Sequence, residues 1–250
     1  MVLEAHAKIN LTLEVLGARS DGYHDLRSVV VPVPLHDDVS LDPADGISVE
    51  MSGDLPQEKN LAWRAAQALR RATGCTQGVR IRIAKRIPAG AGLGGGSADA
   101  AAVLNGLNEL WDLGLPKVRL CEIGATVGSD VPALVLGMPV LMEGRGERVT
   151  PLAESPLRDF PLPDLSCLVL RTPPVFVSTP RVFAEFRDDD RGQGPNDLQP
   201  AACRLHPEIG VALETLRAEG CTGVMMSGSG SSVFGWRTVK TAVSPASTKQ

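Results

Sequence analysis

The stretch Pro88-Ala-Gly-Ala-Gly-Leu-Gly-Gly-Gly-Ser-Ala98 constrains this chain more than any other. Five glycines fall within the seven positions from Gly90 to Gly96. An alternating apolar run, Val79-Arg-Ile-Arg-Ile-Ala84, predicts a strand leading in, and Asp99 to Trp111 predicts a helix leading out. At such a junction glycines let backbone N–H groups turn toward a ligand with no Cβ in the way. The N-terminus of the following helix adds partial positive charge. The pattern therefore predicts a cradle for phosphate. It is not a P-loop, because Ser97 and Ala98 follow Gly96 where Lys and Ser/Thr are required. Gly90, Gly92 and Gly95 satisfy G-x-G-x-x-G, but a dinucleotide site also wants an acid about 20 positions on, at the end of a second strand. Glu109 has the spacing yet falls on the predicted helix itself. A flexible linker would need neither Pro88 before it nor a patterned helix after it.

A chain of 250 residues can bury a core in one large or two small domains. The net charge of −4 comes without a basic block, so composition gives no case for nucleic-acid binding. No apolar run reaches the roughly 18 residues of a membrane span, and the first residues lack a basic, then apolar, leader. A cytoplasmic protein that does not engage a membrane is the expectation. The five cysteines are scattered without a Cys-x-x-Cys, which argues for reduced thiols rather than a disulfide or zinc framework.

Residues 2–16 read as one strand, with Lys8 and Asn10 two apart and so on one face. Alone, such a lysine reads as a solvated edge. After the turn candidate Gly17 to Gly22 come Tyr23, the sole tyrosine, and His24, then the apolar run from Val29 to Leu35. Asp45-Gly46 predicts a hairpin turn between Val39-Ser-Leu41 and Ile47 to Met51. Asn60 is a candidate N-cap for a helix over Leu61 to Ala72, ended by Gly74. Lys117 to Val127 predicts a short helix with Leu120 and Ile123 inward. Asp130, in Gly128-Ser-Asp-Val-Pro132, reads locally as a cap or turn acid. Prolines 151, 156, 161 and 163 mark a connector and a candidate domain boundary. Beyond it, Leu165 to Leu170 predicts a buried strand, Thr179-Pro180 a short helix, Asp188 to Asp190 a solvated loop, and Asn196-Asp-Leu198 the opening of another helical stretch. Glu208 to Ala218 is amphipathic, and Gly223 to Gly235 places a second glycine-rich turn between two strands.

Four of these stretches, in this order, resemble the motifs of the GHMP kinases, and the resemblance runs from about residue 5 to residue 235. They are Ala7 to Leu11 with Asp21-Gly-Tyr-His24; Lys85 through Ala98; Gly128 to Pro132; and Ser227-Gly-Ser-Gly-Ser231. The resemblance implies a two-domain α+β fold with ATP in the cleft between them. A first domain over residues 1–150 would carry the ATP loop and the catalytic acid, and a smaller ferredoxin-like domain over 151–250 the third motif. It implies that Asp130 is the catalytic base and Lys8 its partner. The nucleotide would be held by Pro88, Ala89, Gly90, Ala91, Gly92, Leu93, Gly94, Gly95, Gly96, Ser97 and Ala98, with Asn60 and Lys85 at the adenosine. ATP would come with Mg2+, for which no protein ligand is assigned.

Asp-Gly-Tyr-His and the triple glycine are similar to the branch whose acceptor carries a cytosine ring and a diphosphate. That branch phosphorylates the acceptor's 2-hydroxyl in non-mevalonate isoprenoid synthesis. Tyr23 and Phe183 would then clamp the ring, His24 read its edge, and Asn10 and Thr179 contact the rest of the acceptor. The alternatives are a homoserine or mevalonate type kinase, a catalytically silent binding protein on this fold, and, third, an NAD-dependent oxidoreductase. The chain departs from the family after the third motif. Only Trp236 to Gln250 remain, with Val239 to Val243 as the last strand candidate and no room for the usual helix. The sequence sets no oligomeric state.

Overall fold

The computed structural model describes residues 1–53 and 55–237. Its frame is a seven-stranded sheet built on one long strand, β3 (His24–Ala44). Antiparallel to β3 run β1 (Val2–Asn10), β2 (Glu14–Ala18), β5 (Gly78–Ala84) and β6 (Val140–Gly144). β4 (Ile47–Met51) adds to β5, and β7 (Arg148–Pro151) adds to β6. In β5, Val79, Ile81 and Ile83 are buried while Arg80, Arg82 and Ala84 are exposed, as the alternation predicts. Pro32 and Pro34 stand in the middle of β3. Proline cannot donate to a ladder, and there the β1–β3 register shifts between His6↔His36 and Lys8↔Pro32.

Helix α1 (Leu61–Thr73) starts at Asn60, whose Oδ1 accepts the Ala62 N–H at 2.9 Å, and ends at Gly74 with φ +70°. Helices α2 (Gly95–Leu110), α3 (Lys117–Ala125) and α4 (Val131–Leu136) complete the layer against the sheet. A smaller sheet, in the order β8 (Leu168–Arg171), β10 (Val233–Arg237), β9 (Cys221–Met226), is antiparallel throughout. It goes with α5 (Thr179–Glu185), α6 (Gln199–Leu205) and α7 (Pro207–Ala218).

The two cores exchange residues. The first gathers Leu41, Ile81, Leu104 and Leu107 together with Met225 and Phe234. The second gathers Val182, Leu198, Ile209 and Leu216 with Leu13 and Val15 from the far end of the chain. All five cysteines are free thiols. Among the described residues no helix is long and apolar enough to cross a membrane.

Several expectations need correction. Residues 2–16 form two strands, because the chain leaves the ladder after Asn10 and Leu13 bridges to Asn196 instead. Asp45-Gly46 does turn the chain, but β3 and β4 do not pair. β5, formed some thirty residues later, slots between them, antiparallel to one and parallel to the other. Helix α2 begins at Gly95, inside the glycine loop, rather than at Asp99. Its buried run Ala98 to Leu104 offsets the poor helix propensity of Gly95 and Gly96. Leu165 to Cys167 make a 3-10 turn, so β8 is a short, half-buried edge strand. The strand candidate Val239 to Val243 lies outside the described residues.

Asp190 is not part of a solvated loop. It is buried and accepts two hydrogen bonds from Arg204, at 2.7 and 2.8 Å, and the Arg187 N–H at 2.9 Å. The Arg204 guanidinium, helped by that N–H, holds the carboxyl below its usual range against the opposing effect of burial. The unfolded chain therefore binds this proton more readily than the folded one, and the stabilisation is present above the ordinary carboxylate pKa and lost as pH falls through the folded value. Asp190→Asn is expected to cost about 1–3 kcal/mol at neutral pH, the scale of hydrogen bonds to a charged group. The deficit should shrink below about pH 4. Urea denaturation of both proteins across that range checks it; a deficit independent of pH would remove the charge from the explanation.

Candidate active site

Lys8 and Asn10 leave β1 on one face, as the two-residue period requires. Both are buried, and a buried ammonium needs partners. Lys8 Nζ donates to Asn10 Oδ1 at 2.7 Å, and Asn10 Nδ2 donates to Ser28 Oγ at 2.8 Å. The Asp130 carboxylate stands 3.5 Å from Lys8 Nζ. Asp130 occupies the position before α4, yet its side chain caps nothing there. The carboxylate is spent on Lys8 rather than on the helix, so the local reading as a cap acid fails, and so does the reading of Lys8 as a solvated edge.

The glycine loop passes over this pair. The Lys8 N–H donates to the Leu93 carbonyl at 3.0 Å, and a Cβ on Gly94 would come within 3.1 Å of Lys8 Cγ. Gly94, at φ +71°, turns the chain into α2 without a side-chain cap. Unlike α1, which Asn60 closes, α2 thus presents its first N–H groups and the positive end of its dipole uncovered. The turn from Ser227 to Ser231 closes on the loop from the other side. Ser227 Oγ donates to the Gly92 carbonyl at 2.9 Å, and the Ser232 N–H donates to the Ala91 carbonyl at 3.0 Å. Asn196 holds that turn, its Nδ2 donating to the carbonyls of Met226 and Gly228.

Lys85 Nζ bridges two buried carboxylates, Asp37 Oδ2 at 2.5 Å and Asp99 Oδ2 at 2.7 Å. Asp37 also accepts the N–H groups of Arg86 and Ile87, which fixes the entry to the loop. Burial pushes the Asp99 carboxyl up to about 7, against the opposing charge of Lys85, and Asp99 Oδ1 has no hydrogen-bond partner.

Also in the lining, the His24 and Phe183 rings stack with centroids 4.9 Å apart and planes 19° from parallel. Tyr23 is exposed, with the Arg145 guanidinium 5.0 Å from its ring centre. Thr179 Oγ1 lies 2.7 Å from Ser229 Oγ, joining α5 to the third motif.

These groups share one cavity of about 1030 Å³. Every residue the sequence places at the site lines it except Leu93 and Ala98, which are buried in the core and can contribute only backbone. Asn60 lines it with both ends engaged, Oδ1 in the cap and Nδ2 against Met51 Sδ. Sequence reasoning missed Asp37, Asp99, Arg145 and Asn196, whose partners are distant in the chain. For Asn196 the one local signal is its place in the Asn-Asp-Leu opening of α6.

A fold with this uncapped glycine loop over a lysine–aspartate pair defines a GHMP kinase. The sequence profiles of that superfamily match here, the GHMP kinases N terminal domain over residues 60–138 and the GHMP kinases C terminal domain over 180–240. The 4-diphosphocytidyl-2-C-methyl-D-erythritol kinase of Symbiobacterium thermophilum is 43% identical, the match covering 94% of this chain and 90% of that one. That of a Geobacter species is also 43% identical, over 93% and 88%. A crystal structure of 4-(cytidine 5'-diphospho)-2C-methyl-D-erythritol kinase superposes with a TM-score of 0.78 at 38% identity, over 94% of this chain and 90% of that one. The chain belongs to the 4-diphosphocytidyl-2-C-methyl-D-erythritol kinase family. A homoserine kinase from Cytophaga hutchinsonii, at TM-score 0.68 and 19% identity, shares the fold alone.

Proposed function

We propose that this chain is a cytoplasmic kinase that moves the γ-phosphoryl group of ATP to the 2-hydroxyl of 4-diphosphocytidyl-2-C-methyl-D-erythritol, in non-mevalonate isoprenoid precursor synthesis. One observation carries the reading: a single cavity is lined by the Lys8–Asp130 pair, by the glycine loop that opens α2, and by Tyr23, His24 and Phe183. The domain assignment follows, with residues 1–150 as the N-terminal unit and 151–250 as the C-terminal one, the border falling at the end of β7.

The hydroxyl must be aligned with the γ-phosphorus and relieved of its proton as the bond forms. Asp130 Oδ2, 3.5 Å from the Lys8 ammonium, is the acceptor for that proton. Asn10 fixes the Lys8 ammonium, and the free N–H groups from Gly90 to Ser97 hold the phosphate oxygens. Cytosine enters between Tyr23 and Phe183, displacing His24 from the Phe183 face so that it can read the ring edge. Thr179 and Asn10 position the rest of the acceptor, and Asn60 and Lys85 border the adenosine. Among the residues that line the cavity, the Ser97 hydroxyl and the Asp99 carboxyl are oxygen donors of the kind that would suit Mg2+. When bound it would neutralise phosphate charge.

ADP release with Mg-ATP and the cytidyl substrate, beside homoserine and mevalonate, tests the assignment. Release with the cytidyl substrate alone is the expected result; release with another acceptor, or none from folded protein, overturns it. In the same assay Tyr23→Ala should raise KM for the cytidyl substrate by about tenfold or more, from the loss of about 1–3 kcal/mol of stacking on the base, and leave KM for ATP unchanged. A rise in KM for ATP instead would place Tyr23 at the donor.

A further inference from the structure

Among residues that do not line the cavity, β1 and β3 bring together a group of side chains that the kinase reaction does not use. His6 stands directly opposite His36, and Glu4 directly opposite Asp38. The two imidazoles meet edge to face, with centroids 5.3 Å apart. Nδ1 of His6 lies 3.1 Å from the Val33 carbonyl oxygen, and Nδ1 of His36 lies 2.9 Å from that of Pro34. A carbonyl oxygen can only accept, so both Nδ1 atoms carry protons and both Nε2 atoms face outward. Backbone carbonyls holding one ring nitrogen while the other is presented is the outer-shell arrangement of metal-binding histidines.

Glu4 stands where the two Nε2 atoms converge. His6 Nε2 is 3.2 Å from Glu4 Oε2, and His36 Nε2 is 3.8 Å from Glu4 Oε1. A carboxylate donates nothing, so the His6–Glu4 contact needs a cation, either a second proton on the ring or a shared metal ion. Ligands about 2.0–2.1 Å from a tetrahedral Zn2+ are separated from one another by about 3.3 Å, and the two distances bracket that edge. The donor atoms of Glu4, His6 and His36 all lie within 4.8 Å of one another. Asp38 Oδ1, 3.4 Å from His36 Nε2, stands beside them as a fourth oxygen.

We infer that Glu4, His6 and His36 form a binding site for Zn2+ that bridges β1 to β3, two residues upstream of Lys8. Two imidazoles with a carboxylate suit zinc better than magnesium, which prefers oxygen donors alone. One group competes. Arg86 Nη1 donates to His36 Nε2 at 3.0 Å while its Nη2 pairs with Asp38. The arginine is half exposed and must swing away for the ion to bind.

Calorimetric titration of the full chain with Zn2+, free of chelator and nucleotide, tests the site. One equivalent is expected, and Co2+ in its place should give the visible band of tetrahedral nitrogen and oxygen ligation without a thiolate charge-transfer band. His6→Ala and His36→Ala should each weaken binding by about tenfold or more. Arg86→Ala should strengthen it several-fold. Glu4→Gln, at an exposed position, gives the same loss without disturbing the strand pairing if either histidine variant folds poorly. Equal zinc binding by wild type, Glu4→Gln and the double histidine variant, a thiolate band, or no zinc uptake by the wild type would each overturn the site and leave a proton-mediated His6–Glu4 pair.

Discussion

Asp130→Asn is expected to lower kcat by about 10²–10⁴, the usual size of a general-base contribution. The affinity for ATP should stay close to that of the wild type. Asparagine matches the shape of the side chain and can still meet the solvent at the cavity, but it cannot take a proton. The Lys8 ammonium keeps its hydrogen bond to Asn10 and loses only the carboxylate 3.5 Å away. The glycine loop does not touch Asp130 through any hydrogen bond among the described residues. Single-turnover ADP formation and equilibrium nucleotide titration separate the two effects. Near-normal turnover would remove Asp130 from the chemistry, and a parallel loss of ATP affinity would make it a structural support of the loop.

The second large effect is expected from one methyl group. Gly92 has φ +73°, and a Cβ there would meet the Ser227 carbonyl oxygen at 2.1 Å and that of Gly230 at 2.9 Å. Both obstacles are backbone, so no rotamer change relieves them. Gly92→Ala must push the ATP loop off the Ser227–Ser231 turn and break the Ser227 bond to the Gly92 carbonyl. A left-handed backbone alone costs an alanine about 1–2 kcal/mol, and the total should reach about 2–4 kcal/mol. A displacement near 1 Å at the phosphates lowers catalytic efficiency by about 10²-fold. Gly210→Ala is the control. It lies within α7 with open space around its Cβ, and should raise stability by about 0.5–1 kcal/mol. Thermal melts and kcat/KM on the three proteins decide it. Full activity in Gly92→Ala would show that loop and turn move independently.

What was legible in the sequence is what local chemistry determines. Asn60 as a cap, Gly74 as a stop, and the shared face of Lys8 and Asn10 each follow from a few consecutive residues, and each stands in the structure. The glycine loop was legible as a junction between a strand and a helix, although its helix starts earlier than the apolar pattern indicates. The hairpin at Asp45-Gly46 failed because the turn signal is blind to a strand that arrives later and inserts between the arms. Asp190 reads as one of three solvated acids until Arg204, fourteen positions on, reaches back to it. Asp37 is the same case at greater range, since its partner Lys85 is 48 residues away. A charged residue in a strand carries no local mark of the partner that will bury it.

The Asp197 carboxylate takes the Val15 N–H across a separation of 182 residues. Strand β2 pairs with the nearby start of β3, but the Leu13 and Val15 N–H groups find their partners only at Pro195 and Asp197. During synthesis, at about 5–20 residues per second, the segment around Leu13 and Val15 leaves the ribosome long before α6 and α7 exist. It waits with two core side chains uncovered. Through its pairing with the start of β3, this segment adjoins Tyr23 and His24 in the cavity lining. A ribosome stalled near residue 190 would display β3 and its partners with the Leu13 and Val15 N–H groups still without Pro195 and Asp197.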